Sequence, residues 1–186
     1  MTAKILGIAG SLRKGSFNRR LLTAASHELP DGLALVTWDE LAHVPPFDED
    51  AEDGPAPRSV ATLRTAILEA DGLLIATPEY NGSIPGQLKN ALDWASRPYG
   101  ESSLSGKPAA VIGASPGQYG AAWAQAELRK VLGQAGANVS DAQVAVPEAF
   151  RQLDERDRLL DHELRTSLTA LIAELHRTIR GDVPAA

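Results

Sequence analysis

The chain has 186 residues, a charged fraction of 23% and a formal net charge of −6, which suits one globular domain rather than two. That acidic balance argues against a duplex nucleic-acid binder, which needs a basic face for the phosphates. No cysteine is present, so disulfides, thiolate metal sites, iron–sulfur clusters and cysteine nucleophiles are excluded, and any redox chemistry must come from a bound cofactor.

Residues 1–7 run straight into an apolar strand at 4–9 with no signal-peptide layout, which sets the expectation of a cytoplasmic protein. Residues 17–29 carry Leu21, Leu22, Ala25 and Leu29 at helical spacing and stop at Pro30-Asp31-Gly32. A second strand is expected at 33–39. The acidic, proline-rich stretch 45–58 lacks the spacing of a calcium loop and reads as a solvated connection. A helix over 59–70 shows Val60, Leu63, Ile67 and Leu68. The continuous apolar run 72–77 is the mark of a strand covered on both faces.

The spacing of Ile84, Leu88, Ala91, Leu92 and Ala95 predicts a helix over 83–96, with Pro85 in its first turn. Strand 108–115, helix 120–136, strand 138–146 and a long helix 155–180 complete the chain, leaving 181–186 as a frayed tail. No apolar run approaches the roughly 20 residues of a membrane span, so neither a membrane nor a nucleic acid is an expected partner.

Strand and helix alternate five times over a single domain spanning 1–180. The expected fold class is therefore α/β, a doubly wound five-stranded parallel sheet of order 2-1-3-4-5 with helices on both faces. In such a sheet ligands bind beyond the carboxyl ends of the strands, where the strand order reverses. The loops after Ala9 and Thr77 are thus the places to look.

The first is Gly10-Ser11-Leu12-Arg13-Lys14-Gly15-Ser16-Phe17-Asn18. It opens a helix, whose unpaired N–H groups and partial positive charge suit an anion. Ser11, Ser16 and Asn18 add donors, and Arg13 adds a fork that pairs with phosphate. Capping of the helix by Ser16 or Asn18 is the plainer alternative, but capping needs one such residue. The glycines fit neither a dinucleotide fingerprint nor a P-loop, so a monophosphate is the simpler ligand. The second loop, Pro78-Glu79-Tyr80-Asn81-Gly82-Ser83-Ile84-Pro85-Gly86, displays an aromatic, an amide and a carboxylate at one strand end. A flat heteroaromatic ring needs an apolar surface and groups that read its polar edge, which Tyr80 and Asn81 can supply.

These two stretches, continued by Leu88-Lys89-Asn90-Ala91-Leu92-Asp93-Trp94, resemble the NAD(P)H-dependent FMN reductase family, which includes quinone and chromate reductases and azoreductase-like proteins. The resemblance covers nearly the whole chain. It implies a flavodoxin-like fold, FMN bound non-covalently and NAD(P)H as co-substrate. Ser11, Arg13, Ser16 and Asn18, with Phe17 between them, would hold the phosphate. Pro78, Glu79, Tyr80 and Asn81, with Gly82, would line the isoalloxazine, and Ser115 would contribute from a third loop, Ser115-Pro116-Gly117-Gln118-Tyr119-Gly120. Many members carry a double glycine where this chain has Gly120-Ala121.

The implied reaction passes hydride from a nicotinamide to the flavin, then electrons to a quinone, free flavin, azo dye or metal oxyanion. No side chain is assigned a catalytic or metal-binding role, and Glu79 need face the ring only through its backbone. Family members are dimers or tetramers, with Trp94, Trp123 and Tyr99 as interface aromatics unless Trp94 is core. The alternative is a flavodoxin-like electron carrier or a regulatory flavin-binding protein without turnover. Carriers are more strongly acidic and lack the Pro-Glu-Tyr-Asn loop.

A competing motif is Gly113-Ala114-Ser115-Pro116-Gly117, the pattern of a hydrolase nucleophile elbow, with His162 and His176 downstream. It fails on Pro116. The residue after the nucleophile must donate its backbone N–H to the oxyanion, and proline has none.

Overall fold

In the computed structural model, which describes residues 2–52 and 54–182, strands β1 (Ala3–Ala9), β2 (Leu33–Trp38), β3 (Gly72–Thr77) and β4 (Pro108–Ala114) lie in the order β2-β1-β3-β4. Two short strands, β5 (Asn138–Val139) and β6 (Val144–Val146), both pair with β4, and every pairing is parallel. The helices are α1 (Phe17–Ser26), α2 (Arg58–Glu69), α3 (Gly86–Ala95), α4 (Ala122–Gln134), α5 (Ala149–Gln152) and α6 (His162–Ile179). The expected topology is present, with the fifth strand split in two. Among the described residues no helix is long and apolar enough to cross a membrane.

Alternation along β3 explains the unbroken apolar run. Leu73 and Ile75 face α2, α3 and α4, where they pack with Val60, Leu63, Leu88 and Leu128. Leu74 and Ala76 face α1 and α6, where they pack with Leu21, Leu168 and Ile172. Both faces are dry. Full burial of each such aliphatic side chain contributes about 1.5–3 kcal/mol of transfer free energy.

The departures from the sequence expectations have local causes. The strand expected at 138–146 breaks because the Ser140 hydroxyl accepts the Ala142 N–H at 3.1 Å and donates to Glu174 at 2.7 Å. A serine turn of this kind competes with the ladder. The last helix begins at His162 rather than 155, because Asp161 caps it through the Leu164 N–H at 2.9 Å. Before it, the Asp154 carboxylate accepts the Arg156 and Arg158 N–H groups, which holds its pKa below the ordinary value. Arg20 of α1 ties the same turn down through Asp157 and the carbonyls of Leu153 and Asp154.

At the other end of α6, the Gly181 N–H bonds to Thr178 O and the Asp182 N–H to Arg177 O, a closed glycine cap. Of the tail expected to fray, these two residues are ordered and 183–186 lie outside the described residues.

The segment 45–58 is more than a solvated loop. The Pro45 carbonyl accepts from Asn90 Nδ2 at 2.8 Å and Trp94 Nε1 at 2.9 Å. Phe47 meets Trp94 edge to face with centroids 5.0 Å apart. The first part of the segment is therefore docked on α3.

The turn from β4 into α4 uses two consecutive left-handed residues, Gly120 at φ 57° and Ala121 at φ 64°. Both residues take the conformation that glycine adopts most readily, and alanine carries the strain at the second position. A Cβ on Gly120 would lie 2.6 Å from Ala145 C and Val146 N, both backbone atoms. Gly120→Ala is expected to cost about 3 kcal/mol or more, the sum of left-handed strain and overpacking. Ala121→Gly is expected to add about 0.5–1 kcal/mol, the relieved strain less the entropy of glycine. Urea unfolding of both variants checks the pair, and a stabilised Gly120→Ala would contradict it.

Candidate functional site

Three loops leave the carboxyl edge of the sheet: 10–16 after β1, 78–85 after β3 and 115–121 after β4. They are bonded to one another before any ligand is considered. The Gly10 N–H donates to Ala76 O at 2.8 Å. A Cβ on Gly10 would sit 2.8 Å from Leu88 Cδ2 and 3.3 Å from Pro78 Cδ, so only glycine lets the first two loops approach this closely. Asn18, buried at the start of α1, joins the first loop to the third. Its Nδ2 donates to Ala114 O and its Oδ1 accepts the Ala114 N–H, both at 2.9 Å.

Around the N-terminus of α1 the structure gathers the residues that the sequence singled out. Ser16 is the N-cap and accepts the Asn18 N–H at 3.2 Å. Ser11 accepts the Arg13 N–H at 3.4 Å. Both hydroxyls are buried and retain a proton to donate. Arg13 is exposed, lies over the Phe17 ring at 5.6 Å and donates to Gly15 O at 2.9 Å. Asn18 differs from its neighbours, because its amide is committed to Ala114 and braces the loop.

The second loop is a two-residue hairpin turn. Tyr80 and Ser83 exchange backbone bonds of 3.0 and 3.1 Å, with Asn81 at φ 54° and Gly82 at φ 75°. Asn-Gly is the preferred pair for such a turn. This turn also corrects the expected helix at 83–96, which starts only at Gly86 with Pro85 as its cap residue. The Tyr80 ring is exposed at the turn.

Glu79 points away from the turn, and its Oε2 accepts the Ala124 N–H in the first turn of α4 at 3.0 Å. The cap residue of α4 is Ala121, which has no side-chain oxygen to offer. Glu79 supplies it, and its negative charge suits the helix N-terminus. In return, Glu127 of α4 accepts the Ile84 N–H at 3.3 Å. The sequence offers no motif that marks Glu127; only the packing of α4 against the loop reveals it.

In the third loop Ser115 accepts the Gly117 N–H at 3.1 Å and donates its own N–H to Val146 O. Among the described residues no histidine bonds to Ser115, while His162 and His176 sit at the two ends of α6, so no hydrolase triad forms. Tyr119 and Trp123 pair with centroids 4.7 Å apart. Of the aromatics expected at an interface, Tyr99 and Trp123 are exposed, but Trp94 is core, only 1% exposed. A cleft of about 690 Å³ lies between α3 and α4, lined by Leu92, Asp93, Glu127 and Val131 among others. None of its lining residues belongs to the first or second loop, and it meets the second loop through Glu127, which bonds to Ile84.

The sequence profile of the NADPH-dependent FMN reductases matches residues 3–151. An NAD(P)H-dependent FMN reductase of Pseudomonas aeruginosa is 41% identical over 178 residues, covering 95% of both chains. A 2-hydroxy-1,4-benzoquinone reductase of a Burkholderia species is 47% identical over 131 residues, covering 70% of both. Among solved structures, the flavoenzyme NAD(P)H:(acceptor) oxidoreductase FerB of Paracoccus denitrificans superposes with a TM-score of 0.88 at 34% identity. That match covers 97% of this chain and 98% of the other.

Glu79→Ala is expected to cost about 0.5–2 kcal/mol on denaturant unfolding, the usual worth of a helix cap. Glu79→Gln keeps an acceptor oxygen and should recover most of that loss. Equal losses in the two variants would show that the capping bond is not what Glu79 contributes.

Proposed function

The chain belongs to the NADPH-dependent FMN reductase family, and from that premise we propose that it holds FMN across its three loops and passes reducing equivalents from NAD(P)H to a small acceptor of the quinone class. The observation that carries this is the convergence of two buried hydroxyls, Ser11 and Ser16, on the N-terminus of α1 beside the exposed Arg13. That donor set fits a monophosphate. When bound, FMN supplies the hydride-accepting and electron-donating chemistry that no side chain here offers.

The residues of the chain bind and orient. Ser11, Ser16, Arg13 and the first N–H groups of α1 hold the phosphate, while Asn18 keeps that loop at a fixed distance from Ala114 and Phe17 backs the guanidinium. Pro78, Tyr80, Asn81 and Gly82 present the edge and face of a rigid turn to the ring. Glu79 contributes its backbone there, since its carboxylate is on α4. Ser115 closes the site from the third loop. No side chain is needed to move a proton from substrate. The overall exchange balances as NAD(P)H, a proton and a quinone giving NAD(P)⁺ and a hydroquinone.

The names of the relatives favour turnover over a carrier role, since they are reductases of FMN and of quinones. We expect a cytoplasmic protein, since a reduced nicotinamide donor is drawn from an intracellular pool. We expect a homodimer or homotetramer, with Tyr99 and the α3–α4 cleft available to a second copy.

The purified chain is expected to be yellow and to oxidise NADH or NADPH when a quinone is added. A colourless chain that takes up no FMN would sink the proposal, and a yellow chain inert to both nicotinamides would favour a carrier. Arg13→Ala should weaken FMN binding by about 1.5–3 kcal/mol, the range for charge-assisted hydrogen bonds. An unchanged FMN titration would remove Arg13 from the phosphate.

A further inference from the structure

Aromatic residues are scarce in this chain, and their exposure is not evenly spread. Five are exposed among the described residues: Tyr80, Tyr99, Tyr119, Trp123 and Phe150. Four of these lie on or beside the loops at the carboxyl edge of the sheet. Tyr80 is on the second loop, Tyr119 on the third, Trp123 in the first turn of α4, and Phe150 follows Ala149, whose N–H bonds to Ser115 O. Tyr119 and Trp123 form a tilted pair at 60°, each 54% exposed. The other two tryptophans, Trp38 and Trp94, are 8% and 1% exposed.

The pair is also held in place. The Ala122 N–H bonds to Tyr119 O at 3.1 Å, which closes the turn that carries the two residues into α4. The residue after Trp123 is Ala124, whose N–H is bonded to Glu79, the neighbour of Tyr80. The backbone that carries the pair is therefore tied to the turn that would line the flavin. Large apolar rings left in water forgo the stabilisation of burial. A flat ring that stacks on them restores it.

We propose that Tyr119 and Trp123 are the acceptor-selecting wall of the site, a stacking surface for a planar quinone ring. This rests on the reductase reading above and deepens it by making flatness the property that the third loop selects. Quinones with aromatic faces gain from the wall, whereas compact inorganic acceptors do not.

The test compares 1,4-naphthoquinone with ferricyanide, an octahedral ion that cannot stack, using the chain as purified with its flavin. In Trp123→Ala the ratio of kcat/KM for naphthoquinone to that for ferricyanide is expected to fall about three- to tenfold, the range for loss of an aromatic pair. The fall should lie in the KM for naphthoquinone, and Trp123→Phe should restore most of the ratio. An unchanged ratio overturns the wall, as does a Trp123→Ala variant whose only change is a smaller species on gel filtration, which makes the pair a subunit contact. A native chain inert to both acceptors is the failure of the reductase reading instead. The wall is then read from tryptophan emission, whose red edge reports the exposed Trp123. Saturable quenching by naphthoquinone that is lost in Trp123→Ala supports it, and quenching that grows without saturation overturns it.

Discussion

The arrangement of the candidate site depends on the reciprocal pair of hydrogen bonds between the Asn18 amide and the backbone of Ala114. One side chain satisfies both polar groups of a residue at the end of β4, where the strand can no longer do so by itself. The bond spans 96 positions of sequence and fixes the start of α1 against the third loop. Buried backbone groups left without partners carry a penalty of about 1–3 kcal/mol each, so this clamp is not easily replaced by an apolar residue. It ties the first loop to the end of β4, and the rest of the edge is built outward from it.

Much of the fold is legible in the residues because its rules are local and periodic. The run from Gly72 to Thr77 could be read as a doubly buried strand, since both of its faces had to be apolar. The helical stripes on α1, α2 and α3 stood out for the same reason. What periodicity missed were the places where a side chain ends an element early. Ser140, Asp154 and Asp161 each take a nearby N–H group, and each converts residues with helical or strand spacing into a turn. The docking of the acidic segment escaped notice for another reason. Its anchors, Pro45 and Phe47, find their partners more than 40 positions away on α3.

The site divides along the same line. Ser11, Arg13 and Ser16 are grouped by a contiguous loop and could be named from sequence together with the helix that follows. Which groups of Glu79 and Asn18 face inward was not encoded locally, because their partners, Ala124 and Ala114, lie far along the chain. Glu127 had no signal at all before the packing of α4 was known. The departure at Ala121 is instructive in the opposite sense. A residue that disfavours the left-handed region is held there by its surroundings, so the path of the loop is set by what packs around it rather than by its own preference.

The two carboxylates that cross between the second loop and α4 also join the edge of the site to the body of the protein. The Ala124 and Ile84 amide protons are withheld from solvent only while the loop and the helix remain in register. Their exchange with deuterium thus reports the opening of the loop directly, without a ligand and without turnover. A ligand of the cleft that engages the Glu127 carboxylate competes with the Ile84 N–H for it. The stiffness of the second loop is accordingly a property shared by two elements, the turn itself and the start of α4.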